Sequence, residues 1–529
     1  MNRLSIGAAL AMLMLTAPAG AQVREAAVAG GRVSGVMEDG IASFKGIPFA
    51  APPTGALRWK APQPVKAWTG VKRVTTFAPG CMQAFAKRAD APAAYSEDCL
   101  YLNVWTPARS ASDRLPVMVW IYGGAFVGGH TGIPLYDGAR LAEKGVVLVS
   151  IAYRLGAFGF LAHPDLTRES GKASGNYGIQ DQIAALQWVR DNIATFGGDP
   201  DRVTIFGESA GAISVSILAA SPAAKGLFHR AISESGGNFG PPRTANEGGA
   251  NLPLLRVAEA DGQAFLARLG AADLAAARAL PAEKVQAAVA PGLMSGFSPV
   301  FDGDVLPGNQ YELYEAKQFS DTPILVGTNS DEGSTFVPPG VTPGAFEVFI
   351  RIGYGAHAAS ILAAYPHATN DDAVRAAKDV IRDSLFAWPT WAWANLQATH
   401  GTRPAFLYYF DHRTPQSPQG AAHAAEIAYV FRNIGGPGGP SGSDGPRPID
   451  QAMSELMSDY WVNFAKTGDP NAPGLPPWPA FDPEKPLAMI FDGRPGAEPV
   501  PNMAPIEALD AYFAWRRGEA RRGAALSPN

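Results

Sequence analysis

Short apolar runs closed by glycine-rich turns alternate with stretches of helical spacing through the first half of the chain. Val117 to Ile121 is an unbroken apolar run that stops at Gly123-Gly124, and Val146 to Ile151 is a second run with Ser150 its single polar member. Runs that are apolar at every position, rather than at alternate ones, suit strands buried on both faces of a helix-covered, largely parallel sheet. The stretch from Pro116 to Ser150 therefore reads strand, turn, helix, strand. From Gln180 to Ile193 the apolar residues Ile183, Ala184, Leu186, Trp188, Val189 and Ile193 follow helical rather than alternating spacing, and Val203 to Phe206 follows as another strand. This alternation predicts an α/β fold with right-handed crossovers. Residues 240–320 are rich in Ala and Leu and helical in pattern, and the next strong strand is Pro323 to Val326.

The two ends of the chain carry different signals. Arg3, the apolar stretch Leu4 to Leu15 and the small residues Ala19-Gly20-Ala21 form the pattern of a secretory signal peptide, so residues 1–21 are expected to be removed and the protein to be periplasmic or secreted. No later segment approaches the run of about 18 apolar residues that marks a membrane span. The pairs Arg516-Arg517 and Arg521-Arg522 read as a solvated basic tail, and the Gly, Pro, Ser and Asp run from Gly435 to Pro446 reads as a mobile surface loop.

Composition adds three constraints. With 47% hydrophobic and 17% charged residues the chain is globular and has a substantial core to bury. A net charge of −5 with no long basic run leaves no electrostatic footprint for nucleic acid. Cys81 and Cys99 are the only cysteines. In an exported protein they read as one disulfide, whose modest loop is worth about 3 kcal/mol in chain entropy, and two sulfurs are too few for a structural zinc site.

The chemistry centres on Gly207-Glu208-Ser209-Ala210-Gly211, the chain's one G-x-S-x-G. It follows the strand Val203 to Phe206 at once and leads into Ala212-Ile213-Ser214, small residues able to open a helix. That strand-turn-helix setting lifts a serine hydroxyl clear of a sheet, and glycines on either side remove Cβ atoms that would clash. Ser209 is thus the candidate nucleophile.

Three further segments accompany the elbow: Phe44-Lys45-Gly46-Ile47-Pro48-Phe49-Ala50, Ser96 through Val104, and the long block from Gly175-Asn176-Tyr177-Gly178 through Gly211. Together they resemble the type-B carboxylesterase family, which includes cholinesterases and bacterial p-nitrobenzyl-esterase-like enzymes, from about Val23 to about residue 515. The resemblance implies the α/β-hydrolase fold: a central, mostly parallel sheet flanked by helices, with helical insertions around an active-site gorge. Residues 22–529 are then expected to form one domain. It also implies hydrolysis of small-molecule esters through an acyl-enzyme, without metal or other cofactor, by a monomer or weak homo-oligomer.

A serine hydroxyl needs a base to accept its proton and an acid to hold that base in the right tautomer. His423 lies among small residues in Ala421-Ala422-His423-Ala424-Ala425-Glu426 and is similar to the family's His-x-x-Glu segment; His412, in a polar turn, is the second choice. Gly327 to Gly333 follows the strand Pro323 to Val326, where this fold carries its acid. By resemblance the acid is Glu332, with Asp331 the local competitor. Tyr122-Gly123-Gly124-Ala125-Phe126 sits after a strand, where an oxyanion loop belongs, and the resemblance assigns the donors to the amides of Gly124, Ala125 and Ala210. Ala125 replaces the commoner third glycine, and its methyl group leaves the N–H intact.

Substrate clues are sparser. In cholinesterases the first disulfide loop carries a tryptophan that attracts a quaternary ammonium. Cys81 to Cys99 contains none and instead has Lys87 and Arg88, so a choline ester is not expected. These two cations either favour carboxylate-bearing esters near the entrance or simply face solvent. Glu208 either tunes the field at Ser209 or makes a structural hydrogen bond. Phe126 is a candidate for lining the substrate pocket, and Phe386, Trp388, Trp391 and Trp393 either line it too or, at this helical spacing, belong to the core. An amidase or lactone hydrolase would use the same machinery. A non-catalytic binding protein on this fold would have lost triad residues, and a lipase would show an apolar lid.

Overall fold

The computed structural model describes residues 23–83, 92, 94–243, 251–289, 297–437, 439–440 and 445–526, with the side chains of 521–526 excepted. The export signal, Lys87 and Arg88, and residues 438 and 441–444 of the glycine-proline run lie outside the described residues. Among the described residues no helix is long and apolar enough to cross a membrane.

An eleven-stranded sheet organises the chain. Its strands are β1 (Val36–Glu38), β2 (Ile41–Pro48), β3 (Tyr101–Thr106), β4 (Leu115–Ile121), β5 (Val147–Ile151), β6 (Gly198–Glu208), β7 (Arg230–Glu234), β8 (Ile324–Asn329), β9 (Ala405–Phe410), β10 (Leu487–Phe491) and β11 (Gly496–Pro499). They lie in the order β1-β2-β3-β5-β4-β6-β7-β8-β9-β10-β11. The run from β5 to β10 is parallel throughout, and antiparallel strands flank it on both sides. This is the expected α/β-hydrolase architecture. The two apolar runs read from the sequence are β4 and β5, and every residue from Val117 to Ile121 is fully buried. The helices α1 (Tyr177–Asn192) and α2 (Ala210–Ala220) supply two of the crossovers.

Strand β7 has no apolar run to announce it. Its sequence, Arg-Ala-Ile-Ser-Glu, ends in polar residues, yet Ser233 and Glu234 are fully buried. The Ser233 hydroxyl donates to the Gly236 carbonyl at 2.5 Å, and Glu234 accepts from the Trp461 indole at 2.7 Å. Because the central strands are parallel, β4, β6, β7, β8 and β9 all release their following loops at one edge, where such sheets place their sites.

Two contacts fix the approach to that edge. Arg154, just beyond β5, forks onto Asp181 of α1 with Nε–Oδ2 and Nη2–Oδ1 distances both 2.7 Å, and both side chains are buried. The neighbouring Tyr153 stacks on Tyr122 with ring centroids 4.7 Å apart and donates to the Tyr122 carbonyl at 2.8 Å. The chain leaving β4 is thereby held immediately before Gly123. Cys81 and Cys99 are joined in a disulfide with 5.0 Å between their Cα atoms, as expected from the sequence.

The C-terminus corrects the sequence reading. Residues Met503–Leu526 form a helix that follows α3 (Asn370–Arg382), α4 (Trp388–His400) and α5 (Pro448–Thr467), and is α6 here. Ile506, Leu509, Tyr512 and Phe513 recur at helical spacing and are buried. Arg517 is not a solvated tail residue: it is 6% exposed, with its guanidinium 3.6 Å from the Tyr311 ring centre.

Breaking a buried pair strands its surviving charge in a poorly solvating interior, which typically costs about 3–5 kcal/mol. Asp181→Ala is therefore expected to lower the unfolding free energy by roughly that amount in a urea titration. A loss below about 1 kcal/mol, the range of exposed pairs, would show that Arg154 is solvated instead.

Candidate active site

Strand β6 ends at Glu208, and Ser209 turns the chain with φ 56° and ψ −121° before α2 begins at Ala210. A non-glycine residue at positive φ costs of order 1–3 kcal/mol and persists only where its surroundings impose it. Here the Ser209 N–H donates to the Glu234 carbonyl on β7 at 2.9 Å, and the Ser209 carbonyl accepts from Ile213 of α2 at 2.9 Å. A Cβ on Gly207 would lie 2.6 Å from the Ile121 carbonyl oxygen, and one on Gly211 would lie 2.0 Å from the same atom. The two glycines of the elbow motif thus let β6 and α2 close onto the end of β4.

The acid and base candidates lie on loops beyond β8 and β9. Glu332 is fully buried. Its Oε1 accepts from the Thr328 hydroxyl and the Asn329 N–H, both at 2.8 Å, and its Oε2 lies 2.5 Å from His423 Nδ1. The two loops are stitched together by backbone groups. The Asp331 N–H donates to the Ala421 carbonyl at 2.8 Å, and the Ala421 N–H donates to the Ser330 hydroxyl at 2.8 Å.

The other face of the imidazole meets the elbow. His423 Nε2 is 3.1 Å from Glu208 Oε1, the residue before Ser209. That approach lacks hydrogen-bond alignment and leaves Glu208 Oε1 buried without a hydrogen-bond partner. No hydrogen bond from the Ser209 hydroxyl is found among the described residues. The base candidate therefore has its free nitrogen turned to the carboxylate of the residue that precedes the nucleophile candidate. Catalytic hydrogen bonds are often loose before substrate binds.

The local rivals are engaged elsewhere. His412 is buried with Nε2 2.7 Å from Asp450 of α5. Asp331 pairs loosely with Lys378 at 3.8 Å and lines a polar surface cleft with Arg375, Lys378 and Asp379 of α3.

Three buried glutamates, Glu208, Glu332 and Glu426, act on this one histidine, and buried Glu234 acts on two of them. Burial first, then the neighbouring carboxylates, push the Glu208 carboxyl up to about 8 and that of Glu426 up to about 7. Burial pushes Glu234 up as well. Burial opposes a charge on Glu332 too, but the His423 charge, the His423 hydrogen bond and those from Ser235 and Asn329 outweigh it and hold that carboxyl below its usual range. Burial would lower His423, yet the carboxylates of Glu208, Glu332 and Glu426 raise it to about 9. Glu426 is held by Asn329 Nδ2 at 2.5 Å and faces the Ser235 hydroxyl at 3.4 Å. Ser235, Asn329 and Glu234 carry no sequence signal of their own, since each is a common polar residue whose partner is distant along the chain.

The loop after β4 lies against the elbow. A Cβ on Gly123 would sit 2.6 Å from the Glu208 carbonyl oxygen and 3.0 Å from Ser209 Cβ. Gly124, Ala125 and Phe126 all have positive φ, at 105°, 54° and 62°. Among the described residues no hydrogen-bond acceptor is found for the N–H groups of Gly124, Ala125 or Ala210.

Aromatic rings complete the surroundings. Phe386 packs on the His423 ring at 4.7 Å between centroids, and Phe336, missed in the sequence, packs on it at 5.2 Å. Phe126 is buried edge-on against Phe160 at 5.3 Å. Trp388 takes the core side of that pair of alternatives: it is fully buried, packs tilted on Phe513 of α6 at 4.1 Å between centroids and donates to Asp510 at 3.1 Å. Trp393 is fully buried as well and donates to the Tyr314 hydroxyl, so much of this aromatic helix is core.

Comparison with known proteins identifies the family. The model of the carboxylesterase family matches residues 20–348 and 354–499. The chain is 37% identical to the fumonisin B1 esterase of Sphingopyxis macrogoltabida over 492 residues, covering 90% of this chain and 88% of that protein. It is 37% identical to the para-nitrobenzyl esterase of Bacillus subtilis (strain 168), covering 88% and 94%. Among solved structures, a PNB esterase superposes with a TM-score of 0.79 at 34% identity, covering 92% of this chain and 100% of that one. The Geobacillus stearothermophilus carboxylesterase EST55 superposes with a TM-score of 0.80 at 35% identity, covering 92% and 99%. With its family model matched along most of its length and close relatives over nearly all of it, the chain belongs to the carboxylesterase family.

Proposed function

We propose that this carboxylic-ester hydrolase works through an acyl-enzyme on Ser209, with His423 as general base and acid and Glu332 as the orienting carboxylate. The observation that carries the reading is the 2.5 Å contact between His423 Nδ1 and buried Glu332, with Nε2 turned toward the elbow residue Glu208. A proton on Nδ1 shared with Glu332 leaves Nε2 as the acceptor. On substrate binding Nε2 turns from Glu208 to the Ser209 hydroxyl and takes its proton. The serine oxygen attacks the ester carbonyl, and the amides of Gly124, Ala125 and Ala210 receive the developing oxyanion. The imidazolium then protonates the departing alkoxide, and water repeats the sequence to release the acid.

Three measurements test this reading. An organophosphate is expected to inactivate the protein stoichiometrically with the label on Ser209, and Ser209→Ala to lose roughly 10³-fold or more in kcat on p-nitrophenyl esters. Wild-type turnover by that variant would refute the assignment. Parallel assays on an anilide and a lactone separate ester hydrolysis from the amidase and lactonase readings.

The pH dependence follows from the ring's protonation. Only neutral His423 accepts the serine proton, and the surrounding carboxylates hold its own proton more tightly than usual. The acidic limb of kcat/KM is therefore expected above 6.5, and Glu208→Gln is expected to move it down, because Glu208 is the strongest of those carboxylates. A limb unmoved by that substitution would show that Glu208 does not act on the base.

Space at the oxyanion loop gives the third. Gly123→Ala drives a methyl group into the Glu208 carbonyl and Ser209. It should lower kcat by about 10²-fold, as misplacement by an ångström does, while the unfolding midpoint falls only modestly. Unchanged kcat would mean that the loop and the nucleophile are not mechanically linked.

A further inference from the structure

Helix α3 does not stop where its hydrogen bonding changes. Asp383–Ala387 forms a single π-helical turn that joins α3 to α4 with no intervening loop, and this turn carries Phe386, the ring packed on His423. Such turns within helices widen the backbone at a local cost and are frequent at functional sites. What holds this one is Arg382, the last residue of α3 and 6% exposed. Its Nε lies 2.8 Å from Asp383 Oδ1, and its Nη1 lies 2.7 Å from Asp379 Oδ1. Asp383 in turn accepts from the Tyr365 hydroxyl at 3.0 Å. The same Nη1 donates at 3.2 Å to the carbonyl of Ser330, which lies outside the helix.

Ser330 is the junction of the acid and base loops. It precedes Glu332 by two residues, its N–H donates to the Phe410 carbonyl at the end of β9, and its hydroxyl accepts from Ala421, two residues before His423. One guanidinium therefore ties the turn that presents Phe386 to the backbone that carries both members of the acid–base pair. We propose that Arg382 is a positioning residue for ester hydrolysis, setting the separation of Glu332 and His423 and the pitch of the His423 ring through Ser330 and Phe386. It touches neither substrate nor the reacting atoms. The inference rests on the Ser209, His423 and Glu332 reading above. Lysine, a single point of charge, cannot meet Asp379, Asp383 and the Ser330 carbonyl together as the planar fork does.

The direction of one pH shift separates positioning from the alternatives. His423 is faced by Glu208 from β6, Glu332 from the loop after β8 and Glu426 from the helix at Ile427–Val430, with Glu234 of β7 behind them. If Arg382 holds the Glu332 contact short, removing it lengthens that contact, the imidazolium loses support, and the acidic limb of kcat/KM moves down. Loss of a nearby cation alone would move it up. Loss of folded protein alone would lower the titre of active sites and leave the limb in place.

The experiment compares wild type, Arg382→Met and Arg382→Lys on a p-nitrophenyl ester across pH, with rates divided by the number of sites labelled by an organophosphate. Both variants are expected to lose roughly 10- to 100-fold in kcat per labelled site, with KM changed by less than about threefold and the acidic limb moved down. If Arg382→Met does not fold, Arg382→Lys decides by the same criteria. Wild-type kcat per site, or a limb that is fixed or moved up, overturns the proposal. The labelled residue and acidic limb of the wild type, run alongside, report on the underlying triad independently of Arg382.

Discussion

A single contact between two loops, His423 to Glu332, is what the rest of this molecule is arranged to support. An imidazole and a carboxylate 2.5 Å apart on loops that leave different strands are ordered only if both loops are themselves fixed. The parallel sheet brings β8 and β9 side by side so that the loops start together. Backbone pairing at Asp331 and Ala421, and the Asn329 amide on the Ala422 carbonyl at 2.8 Å, carry that order outward from the strands. Without these bonds the entropy of two free loops would outweigh anything one ion pair returns.

The same contact explains the concentration of acid around one base. Burial holds Glu208, Glu234 and Glu426 above the usual carboxylate range, whereas Glu332, beside the His423 charge and with the most donors, lies below it. Glu332 has the Thr328 hydroxyl, the Asn329 amide and the histidine itself, whereas Glu234 has the Trp461 indole on one oxygen and nothing on the other. The His423 charge and the hydrogen bonds available to each, rather than distance from solvent, distinguish these carboxyls.

Much of this was legible in the chain, and the remainder was hidden for a common physical reason. Strands β4 and β5, the elbow at Ser209, the loop of Glu332 and the cysteine pair each announce themselves locally, through an apolar run, a glycine spacing or a lone residue type. Strand β7 does not, because its buried Ser233 and Glu234 look like surface residues until Trp461, 227 residues later, is seen to satisfy the carboxyl. Trp388 stayed undecided for the converse reason: an aromatic helix next to Phe386 suits a pocket and a core equally well, and only the far end of the chain decides. Phe336 follows Glu332 by four residues and had no pattern to mark it. Long-range partners settle all three, and a local pattern contains no trace of them.

The docked C-terminal helix has a consequence for the order in which the molecule can be completed. Trp388, two residues beyond the ring that packs on the histidine, takes its hydrogen bond and its packing partner from Asp510 and Phe513, more than 120 positions downstream. A nascent chain halted after β11 would already contain every residue assigned to bond-breaking, yet the back of the aromatic helix would lie open to water. The packing behind the His423 ring is therefore completed by a segment remote in sequence from every residue assigned to bond-breaking.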